Sequence, residues 1–205
     1  MLETPRLIPG IVLVLASMVV LFTVPAEYFG AATILSTSCM MFAAWYAGGL
    51  KLRGRVRPFS VAIGVVTAFL LYMVYFTGGA VIDAFHPFGV TSASESAVYA
   101  LIAAPSNPVY FQAVVLLFDS AGYETFFRGT LQARLQPRIG VYSAPAIALF
   151  DAAVHIITLN PIWIGGTFVS DLVWGLAYQY GKGTQASFTS HILWDLAIFI
   201  VRPVT

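Results

Sequence analysis

The chain has 205 residues, 59% of them hydrophobic and 9% charged, with a formal net charge of +1. A soluble domain carries about 25% charge, so this composition excludes a soluble globular protein and predicts an all-α, polytopic transmembrane helix bundle. The near-neutral balance excludes nucleic acid as a partner. The single cysteine, Cys39, excludes an internal disulfide and a thiolate metal cluster and reads as a small buried hydrophobe.

A helix needs about 20 apolar residues to cross a bilayer. The first spans are predicted at Ile8–Val24, Tyr28–Leu50 and Phe59–Ile82. The N-terminus lacks a basic run and a small-residue cleavage site, so the first helix reads as retained rather than as a removed signal peptide. A connection rich in Pro, Ser and Gly follows from Asp83 to Asn107, with a short surface helix expected at Glu95–Ala104. Asp83, His86 and Glu95 of this connection read as solvated. The fourth span is predicted from Pro108 to about Gln132, with Leu131–Gln136 at the interface and a turn at Pro137–Gly140. Three more follow at Tyr142–Leu159, Ile162–Tyr180 and Ser187–Val201, which makes about seven spans.

Basic residues set the orientation of such a bundle. Lys51, Arg53, Arg55 and Arg57 follow the second span, Arg134 and Arg138 the fourth, and Lys182 the sixth. With seven alternating helices all three loops fall on one side. That side is expected to be cytoplasmic, with the N-terminus inside and the long connection outside.

Eight ionisable residues lie within these apolar segments, and six of them form three i, i+4 pairs: Glu124/Arg128, Asp151/His155 and His191/Asp195. Residues four apart share a helix face. A charge at mid-bilayer costs roughly 3 kcal/mol on insertion scales, so these groups are expected to face one another inside the bundle. Arg128 requires a carboxylate or several carbonyls, and Glu124 is the expected partner. An aspartate beside a histidine makes a tuned base, or a metal ligand with its supporting group. Each pair alone also reads as structural. Asp171, on the sixth span, reads as structural or as lining the same cavity. Ser120 and Ser190 sit in nothing that resembles a serine-protease motif.

The order Glu124-Thr-Phe-Phe-Arg128-Gly129, then His155, then His191-Ile-Leu-Trp-Asp195 resembles the CAAX protease and bacteriocin-processing family of intramembrane proteases, also called the CPBP or Abi family. The resemblance covers about Val109 to Pro203 and includes the approach LAYQYGKGTQASFTSHILWD. It divides the chain into N-terminal helices and connection, 1–107, and a protease core, 108–205. It implies an endopeptidase that cleaves a membrane-anchored peptide or protein within the lipid bilayer, with a prokaryotic plasma membrane as its expected setting. Glu124 and His155 would hold and activate a water, and His191 with Asp195 would bind the oxyanion, while Arg128 partners Glu124. A carboxylate in a low-dielectric cavity is a competent base, and donors aimed at an oxyanion lower the barrier by a few kcal/mol. Family members have also been called metalloendopeptidases, and Glu124, His155 and His191, with Asp195, make a sensible zinc set. The H-E-x-x-H motif is absent, and a metal-free mechanism without a cofactor is favoured.

Two positions depart from the family. Its first motif has two adjacent glutamates, and the first stands here as Tyr123, a poor base at neutral pH. Its second motif has phenylalanine four residues before the histidine, and that position is Asp151. Asp119, one turn before Tyr123, or Asp151 is the expected substitute carboxylate. The alternatives are a catalytically inactive scaffold and a small transporter or proton relay, since relays also use buried Asp, Glu and His. The substrate, prenylated or not, is not identified by any residue of the chain.

Overall fold

The computed structural model describes residues 4–48, 56–85, 90, 92–102 and 108–201. Among them every regular element is helical. In chain order these are α1 (Thr4–Thr23), a 3₁₀ turn (Ala26–Tyr28), α2 (Phe29–Tyr46), α3 (Pro58–Phe85), α4 (Ser92–Ile102) and α5 (Val109–Tyr123). A π-helical stretch (Glu124–Gln132) joins α5 to α6 (Ala133–Ile139). A 3₁₀ turn (Gly140–Tyr142) leads to α7 (Ser143–Val154), which ends in another (His155–Thr158). The last elements are α8 (Pro161–Tyr180), α9 (Thr184–Leu196) and a terminal π stretch (Ala197–Val201).

The protein is an all-α transmembrane bundle. Four stretches are long and apolar enough to cross a membrane: Arg6–Thr23, Ala26–Tyr46, Pro58–Ile82 and Val109–Thr158. The last holds both α5 and α7. α8 and α9 fall outside these four because their buried faces carry Asp171, His191 and Asp195. The seven long helical segments match the expected spans within a few residues, except that α2 stops at Tyr46 and the fourth span runs on to Ile139. Pro137 lies inside α6, so the expected turn narrows to Gly140, whose φ of 57° suits glycine. Lys51, Arg53, Arg55 and His86, together with the side chain of Asp83, lie outside the described residues.

Lipid removes the hydrophobic drive between helices, so close packing of small residues takes its place. The buried face of α2 is Ala32, Thr33, Ser36, Thr37, Met40, Ala43 and Ala44. That smooth stripe lets α1 pack on one flank and α5 on the other. Gly64 of α3 brings the backbones of α3 and α9 together: a Cβ there would stand 2.6 Å from the Ala186 carbonyl oxygen. α9 also packs on α5 and α8, and α8 on α7. Large side chains such as Val12, Phe69, Leu70 and Val114 cover the outside as a lipid-facing belt. Cys39 is half-buried rather than buried.

α4 departs from the surface helix expected of it. Its Val98, Tyr99, Leu101 and Ile102 turn inward and line a cavity, and Tyr99 meets Phe199 edge-on at 5.5 Å. Asn160 fixes this placement. Its side-chain oxygen caps α8 by accepting from the amides of Ile162 and Trp163 at 3.0 and 3.3 Å, and its amide donates to the Ser94 carbonyl of α4 at 2.8 Å. Glu95, expected in solvent, is half-buried and lines the same cavity.

Candidate active site

A cavity of about 200 Å³ opens between α1, α2, α4, α5, α8 and α9. Its wall is mostly apolar, and its polar floor is made by Asp119, Tyr123, His155, His191 and Asp195. Glu124 and Asp151 are not among its lining residues.

His155 begins the 3₁₀ turn that ends α7 and is buried. Its Nδ1 lies 2.9 Å from the Asp151 carbonyl oxygen. A carbonyl only accepts, so Nδ1 carries the proton and Nε2 is left as the ring's acceptor. Phe22 packs against the imidazole at 4.8 Å. The Asp151 carboxylate stands 3.6 Å from Nδ1 and accepts a hydrogen bond from the Tyr123 hydroxyl. Tyr123 stacks on Phe127 and presents its ring edge-on to His191 at 5.5 Å. The tyrosine and the aspartate that depart from the family pattern are therefore hydrogen-bonded to each other.

His191 sits on α9 with the Trp174 ring stacked on it at 3.5 Å. Its Nδ1 bonds Oε1 of Glu124 at 2.9 Å, and its Nε2 lies 3.5 Å from Oδ2 of Asp195. Ser120 Oγ lies 2.8 Å from that same aspartate oxygen and 2.8 Å from the Leu116 carbonyl, so its single proton serves one of them at a time. Asp119, one turn before Tyr123, is half-buried and accepts from the Thr37 hydroxyl at 2.7 Å.

The π stretch explains the burial of Glu124 and Arg128. An i→i+5 backbone ladder widens the turn, and every residue of the segment except Gly129 is buried; the Thr130 hydroxyl adds a bond to the Thr125 carbonyl at 3.1 Å. Arg128 pairs with Asp171 of α8, and its Nε stands 3.7 Å from Glu124. Arg128 thus stands beside Glu124 as expected and has Asp171 as a second, closer partner, so Asp171 has a structural place behind the cavity rather than on its lining.

The expected site residues therefore sort into two layers. Asp119, His155, His191 and Asp195 come together on the cavity, while Glu124, Arg128, Asp151 and Asp171 lie behind it and hold the first set in place. The zinc set of Glu124, His155 and His191 is not assembled, because Glu124 is bonded to His191 instead of converging with it on a common point. Among the described residues no group of three or more His, Cys, Asp or Glu side chains converges in this way.

Sequence reasoning missed Thr37, Trp174 and Asn160, and considered Ser120 only as a nucleophile. Asn160 before Pro161 was a readable helix-start sequence; the other three carry no local pattern.

The hydrogen bond between Tyr123 and Asp151 has a measurable consequence. Tyr123→Phe is expected to cost about 1–3 kcal/mol, because a buried carboxylate oxygen loses its donor. Tyr123→Glu is expected to be worse, since it sets two carboxylates against each other. Adding Asp151→Phe to Tyr123→Glu is expected to recover most of the loss. Thermal unfolding of the three variants in detergent checks the order.

No curated protein and no solved structure matches the chain. A family model does, over residues 105–197, the stretch that contains α5 through α9 and every residue of the cavity floor. Over that stretch, just under half of the chain, the sequence is similar to the family described as type II CAAX prenyl endopeptidase Rce1-like.

Proposed function

We propose that the protein is an intramembrane endopeptidase that hydrolyses a peptide bond of a membrane-associated protein or peptide with an activated water. The observation that carries this reading is the convergence of Asp119, His155, His191 and Asp195, from three helices, on one cavity inside an apolar bundle.

In this mechanism Asp119 and Nε2 of His155 hold a water between them. Its oxygen attacks the scissile carbonyl carbon while Asp119, as the general base, takes its proton and hands it to Nε2 of His155. His191, with Glu124 accepting from Nδ1 and Asp195 beside Nε2, is set to hold a proton on both nitrogens and to donate to the developing oxyanion. When the tetrahedral intermediate collapses, the carbon–nitrogen bond breaks and His155 returns the proton to the departing amine. Asp119 takes the place of the glutamate that the family has where Tyr123 stands. Glu124 and Asp151 are positioning residues, one through the His191 ring and the other through its own carbonyl on the His155 ring.

The test compares membrane-protein fragments in cells that make the intact protein with those in cells that make His155→Ala. Fragments present only with the intact protein are expected. Identical fragment sets from both, at equal protein levels, would overturn the protease reading in favour of a scaffold.

A further inference from the structure

The two ends of the bundle differ in charge. One end gathers the C-terminus of α2, the N-termini of α1 and α3, and the junctions α6–α7 and α8–α9. Four contacts tie it together. Arg134 donates to the Ala47 carbonyl, and Arg6 lies over the Tyr46 ring at 5.9 Å. Ser60 Oγ donates to the Gly181 carbonyl at 2.8 Å, and Gln179 to Ser143 Oγ at 2.8 Å. Arg6, Arg57, Arg134, Arg138 and Lys182 all stand at this end, and Lys51, Arg53 and Arg55 fall in the segment between α2 and α3. Of the ten lysines and arginines only two are left: Arg128, buried in the bundle, and Arg202, which follows the last described residue.

The cavity opens at the opposite end. Its rim is the end of α1 at Phe22, the start of α2 at Phe29, the start of α5 at Phe111, the start of α8 at Trp163 and the terminal π stretch at Phe199, with α4 laid across them. No described lysine or arginine lines it. The charges that the sequence carries around this end are three acidic ones, Glu27 in the turn before α2, Asp83 near the end of α3 and Glu95 on α4, against one basic one, Arg202, which follows the terminal π stretch in the sequence.

Loops rich in lysine and arginine stay in the cytoplasm. Five described basic residues at one end, with three more in the sequence that joins α2 to α3, against a mainly acidic rim at the other, orient the bundle with the cavity facing away from the cytoplasm. We infer that the cavity admits its substrate from the extracytoplasmic side, so that the substrate is a membrane-anchored segment of an exported protein or peptide rather than a chain end presented in the cytoplasm. The term substrate rests on the protease reading above; the side of access does not. The aromatic rim adds that the segment which enters is not acidic, since no described lysine or arginine lines the cavity to replace the hydration a carboxylate would lose.

The test uses the full chain with Cys39→Ser, which removes its one cysteine. Single cysteines are then introduced as Glu27→Cys at the cavity end, Ile162→Cys in the cavity wall and Tyr142→Cys at the basic end. All three positions lie outside the proposed catalytic and positioning residues. Intact cells are treated with a membrane-impermeant maleimide, before and after permeabilisation. The expected result is labelling of Glu27→Cys and Ile162→Cys from outside, and of Tyr142→Cys only after permeabilisation. The reverse pattern, or outside labelling of Tyr142→Cys alongside Glu27→Cys, would overturn the inference. Labelling requires no activity. Identical fragment sets from the intact protein and His155→Ala, with this orientation observed, therefore defeat the protease reading alone, and cleavage with the reverse orientation defeats this inference alone.

Discussion

Asp119→Asn is expected to lower the rate of peptide cleavage by about 10²–10⁴, the range by which a positioned general base accelerates proton transfer, while the bundle remains folded. Asparagine keeps the shape of aspartate, and its amide oxygen can still accept from Thr37, which now holds Asp119 at 2.7 Å. What disappears is the only floor carboxylate that is not already committed to a histidine; Asp195 stands 3.5 Å from His191 and within reach of Ser120. Glu124→Gln is the informative comparison. Its side chain is bonded to His191 and lies off the cavity, so glutamine retains an acceptor for Nδ1 and the loss is expected to be smaller than that of Asp119→Asn. The measurement is the initial rate of production of a fragment dependent on the intact protein, with each variant present at equal amount and equal thermal midpoint. A rate for Asp119→Asn equal to that of the intact protein, with Glu124→Gln inactive, would return the base to Glu124.

The sequence made the helices readable because spanning a bilayer demands long apolar runs, and length is a one-dimensional property. The polar residues within those runs were readable for the same reason: their cost in lipid makes each of them conspicuous. Their i, i+4 partners were readable as well, since Glu124/Arg128, Asp151/His155 and His191/Asp195 stand at 3.7, 3.6 and 3.5 Å, but their closer partners on other helices were not. Spacing of i, i+4 paired Glu124 with Arg128, but the guanidinium is closest to Asp171, 43 positions along the chain, and the choice between two carboxylates is made by how α8 packs against the π stretch. That stretch has no sequence pattern of its own; it differs from an α-helix by one residue per turn of hydrogen bonding, and it decides which side chains point inward. The exchange of a carboxylate between positions 123 and 151 was visible as two departures from a motif. That the two residues bond each other, leaving Asp119 as the floor carboxylate not paired with a histidine, depended on the distance between α5 and α7. α4 was misjudged because a short helix with Ser, Glu and Tyr reads as a surface element until a neighbour such as Asn160 is seen to hold it over a cavity.

Arg128→Ala is expected to destabilise the protein by about 3–5 kcal/mol, the usual result of removing one member of a buried ion pair, and to reduce the yield of folded protein. The Arg128 side chain is fully buried, between Asp171 on α8 and Glu124 one turn before it. Truncation leaves Asp171 charged and unpaired among apolar helices, where no water is available to replace the guanidinium. Arg128→Lys is expected to recover only part of the loss, because a single ammonium cannot reach two carboxylates as a planar fork does. The sharper comparison is Arg128→Met with Asp171→Leu. Removing both charges at similar volume eliminates the desolvation cost along with the attraction, so the double variant is expected to be closer to the intact protein than either single change. Its effect on cleavage separates two roles. Glu124 remains bonded to His191 in the double variant, so if Arg128 and Asp171 only brace the π stretch, stability and cleavage recover together. If Arg128 also sets the orientation of Glu124, stability recovers while cleavage stays low. Thermal midpoints in detergent and cleavage rates on the same preparations give both readings. A single Arg128→Ala variant as stable as the intact protein would show that this buried charge cluster does not hold the helices as described.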